Sequence, residues 1–137
     1  MRGVYKRNKL IYGWGINDSD YVTQTYEMRD GKRVSLWRCP YFSDWAGMIK
    51  RCHSKSYQKN KPNYVGCSIN DEWKRFSDFR KWVDEQPNRD WEKCDLDKDL
   101  LVVGNKEYSS KACVYVSHKV NSFVDNKVDR SNQGVHT

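Results

Sequence analysis

A chain of 137 residues with a formal charge of +7, a pI near 9.2 and a mean hydropathy of -1.00 has the size of one domain and the charge of a partner for polyanions, of which nucleic acid is the commonest. No apolar run is long enough for a transmembrane helix, and the basic N-terminus leads into polar residues instead of the apolar core of a secretory signal, so a cytoplasmic protein with no membrane partner is expected. Six Trp and nine Tyr stand against few aliphatic residues, which predicts a core built on aromatic packing.

In chain order, residues 1–10 carry Arg2, Lys6, Arg7 and Lys9 without an acid and predict a mobile basic arm. Gly13-Trp14-Gly15, followed by Ile16, Asn17 and Asp18, predicts a loop. Residues 21–37 then predict a β-hairpin: Tyr21 to Tyr26 favour a strand, Asp30-Gly31 a tight turn, and Val34 to Trp37 the return strand. Cys39-Pro40-Tyr41 breaks the chain, and Ser43 caps a helix over 44–52 whose apolar face is Trp45, Met48, Ile49 and Cys52. Lys50, Arg51 and His53 end that helix, where cations suit the helix dipole and equally suit phosphates.

Residues 54–68 predict a basic loop, with Tyr57 and Tyr64 interleaved among Lys55, Lys59 and Lys61 either to stack on bases or to anchor the loop. Asn70 or Asp71 starts the clearest helix, 72–85, with Trp73, Phe76, Phe79, Trp82 and Val83 in one stripe of core spacing. Five cysteines, none in a C-x-x-C pair, are expected to be reduced thiols. A structural zinc on Cys39, Cys52, His53 and Cys67 is disfavoured by the spacing.

The stretch 94–124 organises the rest. Leu96 and Leu100 to Val103 form an apolar run, Gly104-Asn105 a turn, and Val114-Tyr115-Val116 a second strand. Ser117 caps a closing helix in which Val120, Phe123 and Val124 share a face. Strand, loop, strand and helix gather Asp95, Asp97, Asp99, Asn105, His118 and Asn121, hard donors that with one imidazole suit Mg²⁺. After Phe123 the periodicity is lost, and 125–137 predicts a flexible tail.

The runs L-D-K-D, G-N-K-E-Y-S and C-V-Y-V-S-H-K-V-N resemble the ββα-metal, or His-Me, finger of HNH endonucleases, in the small phage-encoded group akin to homing endonucleases. The likeness extends upstream through the Gly13-Trp14-Gly15 loop, Trp45 and Met48 with Arg51-Cys52, Gly66-Cys67, and Glu72-Trp73 with Phe76 and Phe79. It implies an α+β domain over 11–124, with an N-terminal hairpin, two amphipathic helices and the finger, and it implies hydrolysis of duplex DNA in a host bacterial cytoplasm. Asp97, His118 and Asp99 would hold Mg²⁺ or Mn²⁺, and Asn105 and Asn121 would orient the loop and the helix. Lys6, Arg7, Lys50, Arg51, Lys55, Lys59 and Lys61 would grip the DNA backbone.

Two departures matter. Lys98 stands where such fingers carry a general-base histidine, and a lysine is by type a cation that clamps phosphate. No AP2-type module follows residue 124. An HNH-fold protein that binds DNA without cutting it, or that inhibits a host protein, is the alternative. Solvated strand-edge carboxylates would also account for the acids around Asp97.

Overall fold

The computed structural model describes residues 9–87, 94–98 and 104–117, together with the backbone of 2–4. The architecture is α+β: a three-stranded sheet, three α-helices and two short ladders. Strands β1 (Arg2–Val4), β2 (Gln24–Arg29) and β3 (Lys32–Arg38) are antiparallel in that order. The expected hairpin is β2–β3, closed by Asp30 and Gly31 at φ 50° and 75°, the pair of positive angles that a two-residue turn matching the strand twist requires. Part of the expected mobile arm is instead a strand, since Arg2 pairs with Glu27 and Val4 with Thr25.

Helix α1 runs Pro40–His53, starting earlier than the cap at Ser43 predicted. Pro40 opens the helix because the first turn has no use for its missing N–H, and the amide of Ser43 bonds the Cys39 carbonyl. The predicted basic loop contains helix α2 (Lys55–Asn60), whose first turn is capped by Ser54 Oγ accepting from the Tyr57 amide at 3.2 Å. A 3₁₀ turn over Pro62–Tyr64 follows.

The predicted helix over 72–85 is split into a 3₁₀ turn at Asp71–Trp73 and helix α3 at Phe76–Asp84. The break is tertiary in origin. Ile16 donates to the Lys74 carbonyl at 2.8 Å and accepts from the Phe76 amide at 2.9 Å, so those two groups bond another segment instead of continuing one helix from the turn into α3. Asp18 then caps α3, accepting from the Ser77 amide at 2.8 Å and its hydroxyl at 2.6 Å.

Strand β4 (Ser68–Ile69) pairs in parallel with β6 (Glu107–Tyr108), and β5 (Cys94–Asp97) pairs antiparallel with β7 (Val114–Ser117). Of the first strand expected on Leu96 and residues 100–103, the described part is β5, which ends at Asp97, while the second expected strand is β7. The run 99–103, the closing helix from His118 and the tail 125–137 lie outside the described residues. No helix among the described residues is long and apolar enough to cross a membrane.

The core lies between α1, α3 and the 3₁₀ turn before α3. Trp45, Met48, Ile49, Trp73, Phe76, Phe79 and Val83 are fully buried there. Trp73 meets Phe79 edge to face at 5.1 Å, and Trp45 donates its indole N–H to the Trp73 carbonyl at 2.8 Å, so the most buried ring packs with its polar atom bonded. The 11–15 loop lies on the same helix: a Cβ added to Gly15 would stand 2.5 Å from Ile49 Cδ1 and 2.8 Å from the Trp45 ring, which explains the glycine.

Candidate functional site

Alternation along β5 puts Leu96 opposite Tyr115, whose ring packs against Trp82 at 5.9 Å, and sets Asp95 and Asp97 on the other side of the strand. Asp97, opposite Val114, is nevertheless only 7% exposed. Beside it Asn105 ties the end of β5 to the start of β6. Its Nδ2 donates to the Lys98 carbonyl at 3.2 Å and to the Glu107 carbonyl, while its Oδ1 accepts from the Glu107 amide at 3.1 Å. One amide side chain thus ties the Lys98 backbone, directly after Asp97, to the start of β6.

Tyr108, buried on β6, is where two cations converge. Arg51 reaches from the last turn of α1, donating Nε to the Tyr108 hydroxyl at 2.8 Å with its guanidinium 5.5 Å from the ring centre. Lys98 Nζ stands 5.7 Å from the same ring centre. Burial pushes the Tyr108 phenol up to about 12 despite Arg51 beside it, so it stays a neutral platform. The Arg51 guanidinium also lies 6.0 Å from the Tyr64 ring centre.

About two turns back along α1, Asp44 faces the same region. The Tyr115 hydroxyl donates to Asp44 Oδ2 at 2.8 Å, and Ser43, Asp44, Arg51, Asp95 and Leu96 line a small cavity of about 140 Å³. Burial raises the Asp44 carboxyl above its ordinary value, and nearby Asp95 adds to that. The Tyr115 bond and the Arg51 charge act in the opposite direction. The Tyr115 phenol is likewise pushed up, first by burial and then by Asp44.

Of the residues singled out in the sequence, Asp97, Lys98 and Asn105 come together, and Arg51 joins them. Arg51 differs from the lysines grouped with it: it is half-buried and faces Tyr108, whereas Lys50, Lys55, Lys59 and Lys61 are exposed. Asp99, His118, Asn121, Lys6 and Arg7 lie outside the described residues. Of the set Asp97, Asp99 and His118, Asp97 alone lies among the described residues, and among these no three His, Cys, Asp or Glu side chains gather where they could hold an ion. Tyr57 and Tyr64 anchor the α2 segment on each other at 6.0 Å, with Lys50 Nζ 4.9 Å from the Tyr57 ring centre.

The cysteines differ from expectation. Cys52 and Cys67 form a disulfide with Cα atoms 4.9 Å apart, where reduced thiols were expected throughout. Cys39 meets the Tyr21 hydroxyl at 3.0 Å, and His53 stacks on Trp14 at 5.1 Å. Each member of the suggested zinc set thus has a different neighbour. Sequence reasoning missed Tyr108, Asp44 and Tyr115. The signal for Asp44 was its spacing: seven residues before Arg51, it shares that residue's face of α1. No family model, curated protein or solved structure matches the chain.

Proposed function

We propose that this chain is an HNH-like DNA endonuclease that hydrolyses phosphodiester bonds of duplex DNA, by nicking or by double-strand cutting, with a divalent ion such as Mg²⁺ or Mn²⁺. The observation that carries the reading is that the end of β5, with buried Asp97 followed by Lys98, is tied by Asn105 to β6, where Lys98 and Arg51 meet at Tyr108. In this reading Asp97 supplies an oxygen donor or orients the attacking water. Lys98 and Arg51 hold the scissile phosphate and offset the charge that grows on it in the transition state. Asn105 keeps the loop in register, and the exposed Lys50, Lys55, Lys59 and Lys61 contact backbone phosphates outside the reacting centre. A bound divalent ion would polarise the phosphoryl oxygens and stabilise the leaving oxygen.

Asp99, His118 and Asn121 complete the proposed site. The ladder puts Asp97 three residues from the Cys94–Ser117 pair where the chain leaves β7, which is about 10 Å along the strand. His118 or Asn121 reaches Asp97 only if the segment after Ser117 turns back along β5.

A second reading is favoured by one observation. Lys98, which stands in place of the finger's general base, lies with its ammonium group near the Tyr108 ring. On this reading the protein binds DNA, or a host protein, without hydrolysis. Supercoiled plasmid separates the two when incubated with and without Mg²⁺ or Mn²⁺ beside Asp97→Ala, His118→Ala and Arg51→Ala. Metal-dependent nicking lost in all three variants supports the endonuclease. Retarded but intact plasmid supports the binder, and neither effect points to a protein partner.

A further inference from the structure

Away from Asp97 and Tyr108, a larger cleft opens between the 11–15 loop, the β2–β3 hairpin and α1, with a volume of about 560 Å³. That is within the range of sites for single small molecules. Lys9, Arg33 and Arg38 line it, and no carboxylate does so among the described residues. Two of these cations lie against aromatic rings that line the same space: Arg33 is 4.8 Å from the Tyr26 ring centre and Arg38 is 5.3 Å from that of Phe42. The floor includes Asn17 and Thr23, both buried and bonded to each other at 3.1 Å.

At the mouth stands Tyr12, 46% exposed, with φ at 49°. A bulky side chain in the left-handed region persists only where its surroundings impose it. Here they do. Ile11 and Gly15 exchange backbone hydrogen bonds at 2.9 and 3.0 Å, Trp14 donates to the Ile11 carbonyl at 3.0 Å, and Gly15 is pressed onto Ile49 and Trp45. The loop is thus clamped to the core in a form that leaves an aromatic ring at the edge of a cationic cleft.

We propose that this cleft takes up one unpaired nucleotide of a DNA strand, with its base on Tyr12 and Tyr26 and its phosphate on Lys9, Arg33 and Arg38. Aromatic faces accept any base, and guanidinium groups match phosphate oxygens, so the recognition is of an unstacked nucleotide and not of a sequence. The inference rests on the proposal that the partner is DNA, but it needs neither a metal ion nor hydrolysis.

The test uses the full chain in EDTA and fluorescence anisotropy with two short labelled duplexes, one perfectly paired and one with a single unpaired nucleotide at its centre. The expected result is about tenfold tighter binding of the second, since stacking of one base is worth roughly that much. Tyr12→Ala and Arg33→Gln, both at exposed positions, should abolish the preference while the melting temperature is kept. Equal affinity for the two duplexes, or a preference that survives both substitutions, overturns the proposal. The two functional ideas fail separately: absence of metal-dependent nicking with the preference intact leaves the cleft standing, whereas nicking without the preference removes the cleft alone.

Discussion

The α1–α3 core and the β5–β7 ladder are held by different forces. Between the helices the buried contacts are apolar, with Trp45, Met48, Ile49, Phe79 and Val83 excluded from solvent, the Trp45 indole bonded to the Trp73 carbonyl, and the Tyr41 hydroxyl bonded to Asp84 at the exposed edge. The β5–β7 ladder and neighbouring β6 reach the same core through Tyr108, Cys113 and Tyr115, but they add side-chain hydrogen bonds to the helical part: Tyr115 to Asp44, Arg51 to Tyr108, Lys106 Nζ to the Asn63 carbonyl, and Ser110 to Glu72. Apolar burial scales with area and has little direction, so it stabilises the helices strongly. A hydrogen bond contributes less but fixes an angle and a distance. The segment carrying Asp97 and Lys98 is thus positioned by a few directional contacts on a rigid aromatic support.

The comparison breaks most severely at the core. Trp45→Ala removes the central ring and the bond to the Trp73 carbonyl, and it should cost about 3–5 kcal/mol in denaturant unfolding. Gly15→Ala forces a methyl group into the Trp45 and Ile49 side chains. Overpacking of this kind costs about 1–3 kcal/mol, and calorimetry should show a lower melting temperature. Tyr115→Phe acts on the other side of the comparison. It leaves the buried Asp44 carboxyl without its donor, at about 1–3 kcal/mol, and hydrogen exchange should rise in β5 and β7 before it rises in α1 or α3. Equal acceleration in all four elements would show that the ladder is not separately held.

Two smaller effects follow from titration. Asp44 has a raised folded value, so the fold favours its neutral form. The stability this contributes is present below the unfolded value of 3.8 and is lost as pH rises from there through the raised folded value. Asp44→Asn keeps an acceptor for Tyr115 and removes the titration, so its melting temperature should gain on the parent's as pH rises through that window. For His53 the sign is opposite. Burial lowers its value from 6.5, so the fold favours neutral imidazole and stability is lost as pH falls below 6.5 through the lowered folded value. His53→Gln should flatten that slope, the smallest of the five changes, because the ring is well exposed beside Trp14.

Much of this was legible in short windows of sequence. Asp30-Gly31 between strand-forming runs specified the β2–β3 hairpin because few other residue pairs adopt two positive φ angles. The spacing of Trp45, Met48, Ile49 and Cys52 specified the buried face of α1, and Val114 to Val116 marked β7. Helix α2 was missed because Lys55–Asn60 buries no side chain and so carries no apolar period. The contact of Arg51 with Tyr108 was not legible for a related reason. Sequence shows a cation at a helix end, while its partner Tyr108 is 57 residues away.

By itself, then, the sequence determined local conformation, the apolar faces and the net positive charge, since turn geometry, side-chain periodicity and ionisation are properties of a few neighbouring residues. Tertiary structure alone decided that Ile16 interrupts the backbone between Trp73 and Phe76, that β4 and β6 run in parallel, that Cys52 meets Cys67, and that Arg51 and Lys98 share Tyr108. Those pairings satisfy backbone groups and bury side chains between segments far apart in the chain, and they exist only once the core has brought the segments together.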